Sequence, residues 1–206
     1  MDKYQNKYRI QSARAQWWDY GWNGAYFITI CTHNREHFFG EIVETRLIAS
    51  LLGQIADTIW HEIPNQFQYA ELGDFLVMPN HIHGILILDQ PNGGNKNEMN
   101  GSNGINGINV ETRLIASLQT TEQMHNQIKT GGFAGNKNPM FNDNVSRIIR
   151  WYKGRCSFEI KKIQTDFAWQ TRFHDHIIRN DSEYQRISNY IINNPVNWQD
   201  DKFYLP

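Results

Sequence analysis

Apolar residues crowd into a few short runs along the chain, and the spacing inside each run tells what it builds. Gly24-Ala-Tyr-Phe-Ile-Thr-Ile-Cys-Thr32 is dense in β-branched and aromatic residues, the composition of a strand. From Arg46 to Trp60 the residues Leu47, Leu51, Leu52, Ile55 and Ile59 recur at helical intervals, which predicts an amphipathic helix closed by Pro64. Phe67 to Met78 and His81 to Asp89 read as two strands joined at the tight Pro79-Asn80 corner. A second helix runs to about Ile163, capped by Asp143 or Asn144, with Val145, Ile148, Ile149, Tyr152, Cys156, Ile160 and Ile163 on one stripe. Phe167 to Arg179 predicts a last strand, and Asp181 or Ser182 starts a terminal helix through Ile192 that Pro195 ends. The order β-α-β-β-α-β plus a helix predicts an α+β, ferredoxin-like split β-α-β sandwich. Its antiparallel sheet carries helices on one face, with the strands in the order 4-1-3-2.

After Asp89 the pattern stops. Gln90 to Asn109 is dominated by Asn and Gly and has almost nothing to bury, so a flexible insertion is expected from about 90 to 140 within a single domain of residues 1–206. Inside it Val110-Glu-Thr-Arg-Leu-Ile-Ala-Ser117 repeats Val43-Glu-Thr-Arg-Leu-Ile-Ala-Ser50, part of the first predicted helix. One identical copy is no stacking repeat architecture, which needs several units. It points to a recent duplication of a coding segment.

With 206 residues, 40% apolar and 13% aromatic, the chain can bury a proper core. Its net charge of -1 gives no global attraction to nucleic acid, so any such contact must come from a local patch. Cys31 and Cys156 stand far apart in no metal-type spacing, which argues against a disulfide framework. No segment reaches the length of a membrane span and the N-terminus lacks a secretory pattern, so a cytoplasmic location without membrane contact is expected.

The chemistry concentrates in Val77-Met-Pro-Asn-His-Ile-His-Gly-Ile-Leu-Ile-Leu88. Side chains alternate along a strand, so His81 and His83 point the same way and can hold one ion. Buried in an apolar run, two such groups need partners or an ion to offset desolvation. The second predicted helix turns Tyr152 toward the sheet and carries Arg147, Arg150, Lys153, Arg155, Lys161 and Lys162. His174 and His176 form another alternating pair, about 10 Å from the first at two strand spacings, too far to share its ion. Trp17, Trp18 and Tyr20 are read as packing rather than as stacking platforms for bases.

Taken together, the motifs resemble the single-tyrosine HUH nucleases of the IS200-like transposase group, and within it the REP-associated tyrosine transposases. The matching pieces are Met78-Pro-Asn-His-Ile-His-Gly84, Asn136-Lys-Asn-Pro-Met140 and Arg150-Trp-Tyr-Lys-Gly-Arg155. They continue with Trp169-Gln-Thr-Arg-Phe-His-Asp-His-Ile-Ile-Arg179 and Tyr190-Ile-Ile-Asn-Asn-Pro-Val-Asn-Trp198, so the resemblance spans nearly the whole chain. It implies a divalent metal, Mg²⁺ or Mn²⁺, held by His81 and His83, and a tyrosine that cuts single-stranded or hairpin DNA and stays bonded to the 5′ phosphate. That tyrosine is expected to be Tyr152. In much of the wider family a glutamine one turn after the tyrosine completes the metal site. Here Cys156 stands there, a poor ligand for a hard cation, so Glu159 is the expected third ligand. Arg147, Arg150, Lys153, Arg155 and His176 are the expected DNA contacts. The resemblance also allows a homodimer, with the tyrosine working in cis or in trans, and a bacterial, nucleoid-associated setting. Two other readings stay open: a protein that binds DNA hairpins without catalysis, and an unrelated hydrolase using a strand His-X-His pair.

Overall fold

Residues 19–44, 46–90 and 143–204 are described by the computed structural model of the chain. The Asn/Gly-rich stretch, the second repeat copy at 110–117, the segment 136–140, and Trp17 and Trp18 lie outside them. Along the described residues run β1 (Gly24–Cys31), β2 (Gly40–Val43), β3 (Arg46–Ala49), α1 (Leu51–His61), α2 (Ile63–Gln66), β4 (Ala70–Met78), β5 (His81–Leu88), α3 (Val145–Ile160), β6 (His174–Ile178) and α4 (Asp181–Asn193). The main sheet is antiparallel in the order β4-β5-β1-β6, the order expected. The fold class is the expected α+β sandwich with a C-terminal helix.

Which face each strand residue takes decides everything that follows. Ile82 and Leu86 of β5 and Tyr26, Ile28 and Ile30 of β1 join one core with Ala56, Ile59 and Trp60 of α1 and Ile148, Ile149, Tyr152 and Cys156 of α3. Trp60 stacks flat on Phe75, centroids 4.6 Å apart, and meets the Tyr152 ring edge-on at 5.2 Å. Each such fully buried aromatic or aliphatic side chain contributes roughly 1.5–3 kcal/mol. Gly84 lies on this same face, where a Cβ would stand 2.5 Å from Trp60. Alternation therefore sends His81, His83, Ile85 and Ile87 to the other face. There Ile85, Ala25 and Ile178 pack with Ile187 and Ile191 of α4.

Some sequence expectations shift. The predicted helix from Arg46 starts instead at Leu51, because Ser50 accepts a hydrogen bond from the Gly53 amide at 3.1 Å and caps it there. Leu47 belongs to β3, which pairs with β2 in a small separate hairpin. The first copy of the repeat is thus mostly strand and cap rather than helix. Gly40 opens that hairpin at φ +133°, where a Cβ would stand 2.2 Å from the Ile48 carbonyl oxygen. Pro64 sits inside the short α2 and does not close α1, which ends at His61. Of the predicted strand Phe167–Arg179 only His174–Ile178 is regular, with one isolated bridge between Trp169 and Thr32. Asn144 caps α3 as expected, and α4 starts at Asp181, one of the two predicted starts, with Asn180 as its cap.

Candidate functional site

The β4-β5 corner is bolted to the C-terminal segment. The Asn80 carbonyl accepts from the Thr32 amide at 2.9 Å and hydroxyl at 3.0 Å, and its side-chain amide donates to the Phe203 carbonyl at 2.9 Å. That last bond orients the amide, so Asn80 Oδ1 is left facing His81 Nδ1 at 2.8 Å. An amide oxygen only accepts, and His81 must therefore carry its proton on Nδ1 and present a bare Nε2. His83 Nδ1 lies 2.9 Å from the Thr29 hydroxyl, a group able to donate or accept.

The two Nε2 atoms face each other 3.0 Å apart in a nearly dry setting, with His81 0% and His83 1% exposed. Two bare lone pairs repel at that distance, so either a proton on His83 or a shared cation lies between them. Two nitrogens bound at right angles to one ion at about 2.1 Å stand about 3.0 Å apart. The spacing fits a metal as well as it fits a hydrogen bond. Burial, then Lys202 and Arg35, push His81 down to about 3, and burial followed by His81 pushes His83 far below its ordinary value. Both imidazoles are neutral at physiological pH, the form a metal binds.

Opposite them stands Asp201, whose carboxylate lies with both imidazoles inside a 4.8 Å cluster of ligand atoms. Asp201 accepts from the Tyr190 hydroxyl at 3.0 Å, the Asn194 amide at 3.1 Å and the Phe203 amide at 2.6 Å. A carboxylate offers about four lone-pair positions, so one stays uncommitted. Asn194 is 2% exposed, and its Oδ1 has no hydrogen-bond partner among the described residues. A buried bare acceptor on a residue bonded to Asp201 calls for a donor or a cation. This donor set fits a divalent cation.

Tyr190 borders the cluster. Its hydroxyl is 3.3 Å from His83 Nε2, its ring meets the His83 ring at 5.2 Å and Phe27 edge-on at 6.0 Å, and the residue is 39% exposed. Burial, then the Asp201 charge, raise its phenol above the ordinary value. Helix α4 delivers it: Ile187 and Ile191 bury against the sheet and the Ser188 hydroxyl donates to Asp74 on β4. Asn194 follows Tyr190 by one helical turn, which is why both reach Asp201.

Most of the residues expected from sequence are not assembled here. Tyr152 is 0% exposed on the opposite face of the sheet, its hydroxyl donating to the Ala56 carbonyl at 3.1 Å, and burial raises its phenol far above the ordinary value. Glu159 lies on the same far helix, paired with Arg155 at 2.9 Å and with Lys162. Arg147 pairs with Asp143, Arg150 is exposed on α3, and Lys153 donates to the Gln170 and Thr171 carbonyls. His176 does lie on the histidine face, where it bonds Glu183 of α4 at 2.8 Å. Sequence reasoning missed Tyr190, Asn194 and Asp201. The signal was present, since Tyr190 and Asn194 both stand in the terminal motif, but only the fold shows that this helix covers the histidine face.

No protein-family model matches the chain. An uncharacterized protein of Haemophilus influenzae is 30% identical over 197 residues, 95% of this chain and 93% of that protein. Among solved structures, a REP-associated tyrosine transposase bound to a REP hairpin matches with a TM-score of 0.53 at 17% identity. That match covers 93% of this chain and 77% of the other. The chain belongs to one family with the Haemophilus influenzae protein, and its fold resembles that of the REP-associated tyrosine transposase.

Proposed function

We propose that the chain is a metal-dependent nuclease and strand transferase for single-stranded or hairpin DNA, with Tyr190 as its nucleophile. The observation that carries this reading is the hydroxyl of the partly exposed Tyr190, 3.3 Å from one of two buried, convergent imidazoles. His81, His83 and Asp201 would hold the ion, with Asn194 Oδ1 as a further donor. Mg²⁺ and Mn²⁺ both fit a mixed nitrogen and oxygen set, the softer Mn²⁺ better. When bound, the ion polarises a phosphate oxygen and offsets the charge that builds in the transition state.

The chain's own groups do the rest. Asp201 accepts the Tyr190 hydroxyl proton and fixes the oxygen toward the cluster, so the phenol is aimed before DNA arrives. The tyrosine oxygen bonds to phosphorus as the bond from phosphorus to the 3′ oxygen breaks, and the tyrosine proton passes to Asp201. The released 3′ oxygen takes a proton from solvent. The DNA is left joined through its 5′ phosphate to Tyr190, which conserves the bond energy for rejoining. Substrate and mechanism draw support from the fold shared with a structure that holds a REP hairpin.

The test uses purified chain, 3′-labelled hairpin oligonucleotides and Mn²⁺ or Mg²⁺, resolved on a denaturing gel beside Tyr190→Phe and Tyr152→Phe. A covalent band that disappears in Tyr190→Phe and persists in Tyr152→Phe is expected. The reverse pattern returns the role to Tyr152. Binding without any covalent band, across hairpins and both ions, favours a protein that binds hairpins without cutting them.

A further inference from the structure

Beside the histidines the backbone does something costly. Asn34 and Arg35 follow each other in left-handed conformation at φ 51° and 58°, a region that asparagine tolerates but that a residue such as arginine rarely occupies. The turn places the Arg35 guanidinium 5.2 Å from the centre of the Phe203 ring and lets it donate to the Lys202 carbonyl at 3.0 Å. Lys202 Nζ stands 4.7 Å from the centre of that same ring. The ring in turn lies 4.6 Å from His81 and 6.1 Å from His83. Two cations from opposite ends of the sequence therefore meet at one aromatic ring bordering the imidazole pair.

Neither cation forms an ion pair with a carboxylate among the described residues, although Asp201 is the sequence neighbour of Lys202. On α3 and just past its end Arg147, Arg155 and Lys162 have carboxylate partners, while Arg150, Lys153 and Lys161 have none among the described residues. What sets Arg35 and Lys202 apart is that both meet at a ring bordering the imidazole pair. Cations placed beside a site for another cation weaken that site unless an anion joins them. Strained backbone held at such a place is a mark of function. From this geometry we infer that Arg35 and Lys202 form a phosphate-binding clamp for the DNA backbone next to the bond that is cut. Arg35 supplies a planar donor fork and Lys202 a mobile point charge, so the pair grips one or two adjacent phosphates and sets which phosphodiester faces Tyr190. The clamp rests on the proposed DNA reaction, but its binding role can be measured without any cleavage.

The experiment measures hairpin binding by fluorescence anisotropy across a salt series, in a Tyr190→Phe background so that no DNA is consumed. Arg35→Gln, Lys202→Gln, the conservative Arg35→Lys and, as a control at the end of the far helix, Lys161→Gln are compared. Each lost phosphate contact lowers the slope of log affinity against log salt by roughly 0.7 to 0.9. Arg35→Gln and Lys202→Gln are each expected to show that drop with weaker binding, Arg35→Lys to recover part of it, and Lys161→Gln to leave it unchanged. Unchanged slopes in both glutamine variants would overturn the clamp. So would weaker Mn²⁺ binding or a lower melting temperature in Arg35→Gln with no change in Lys202→Gln, since Arg35 would then merely fasten the C-terminal segment. If the intact chain forms no covalent adduct yet the slopes fall as stated, the clamp stands and the cleavage reading fails.

Discussion

Asn80 sets where His81 carries its proton. Its amide is oriented by the Phe203 carbonyl, and that orientation forces the His81 proton onto Nδ1, leaving Nε2 bare. A group that fixes the tautomer of a ligating histidine typically supports metal affinity by 10-fold to 100-fold. Asn80→Ala is therefore expected to weaken Mn²⁺ binding by roughly that factor while the fold persists, as read by calorimetry and circular dichroism. Unaltered affinity would show that the imidazoles orient themselves. His81 and His83 were readable from sequence because their parity on one strand is a local property. Tyr190, the proposed nucleophile, was not, because a tyrosine on an amphipathic helix has no local mark that separates a core ring from one at a site; Tyr152 carries the same helical signature and is packed in the core.

Helix α4 works as an arm that brings Tyr190 and Asn194 to the histidine face, held by Ile187, Ile191 and the Ser188 bond to Asp74. On the opposite face α1 must come close, and Gly84 gives it room. A methyl at Gly84 would stand 2.5 Å from Trp60 Cζ2 and 3.0 Å from Phe75 Cδ2, both rings packed rigidly against each other. Gly84→Ala is expected to destabilise the chain by about 1–3 kcal/mol or more, with a lower denaturant midpoint at unchanged slope. The neighbouring His83 ring would be tilted as the strand shifts. Helical periodicity located α3 and α4 well. It misread Arg46–Ala49, since a leucine at helical spacing in a short extended segment is indistinguishable from the first turn of a helix until the partner strand Gly40–Val43 is in place.

Across the whole molecule the two buried imidazoles link stability to pH. Their folded proton affinity lies below the ordinary value of 6.5, so the stability they confer is complete above about 6.5 and is lost as pH falls toward 3. His81 alone is expected to lower the unfolding free energy by about 2 kcal/mol at pH 5, which urea unfolding at pH 7.5 and pH 5 would register. A flat profile between those values would show that the pair is solvated or already protonated. No helix among the described residues is long and apolar enough to cross a membrane. With a net charge of -1 the chain has no global pull on DNA, so the proposed DNA reaction requires local cations such as those of the proposed clamp.

The sequence by itself determined the order of the main strands and helices, the antiparallel sheet and the shared face of His81 and His83. These follow from periodicity and from the few ways such an order can pack. Only the tertiary structure decided which helix lies over the histidines. Strand β5 is apolar on both faces, with Ile82 and Leu86 on one and Ile85 and Ile87 on the other, so nothing along it names its partner. The choice falls to the chain as a whole: α1 and α3 cross on the side of Ile82, and α4 is left to close the other, carrying Tyr190 with it.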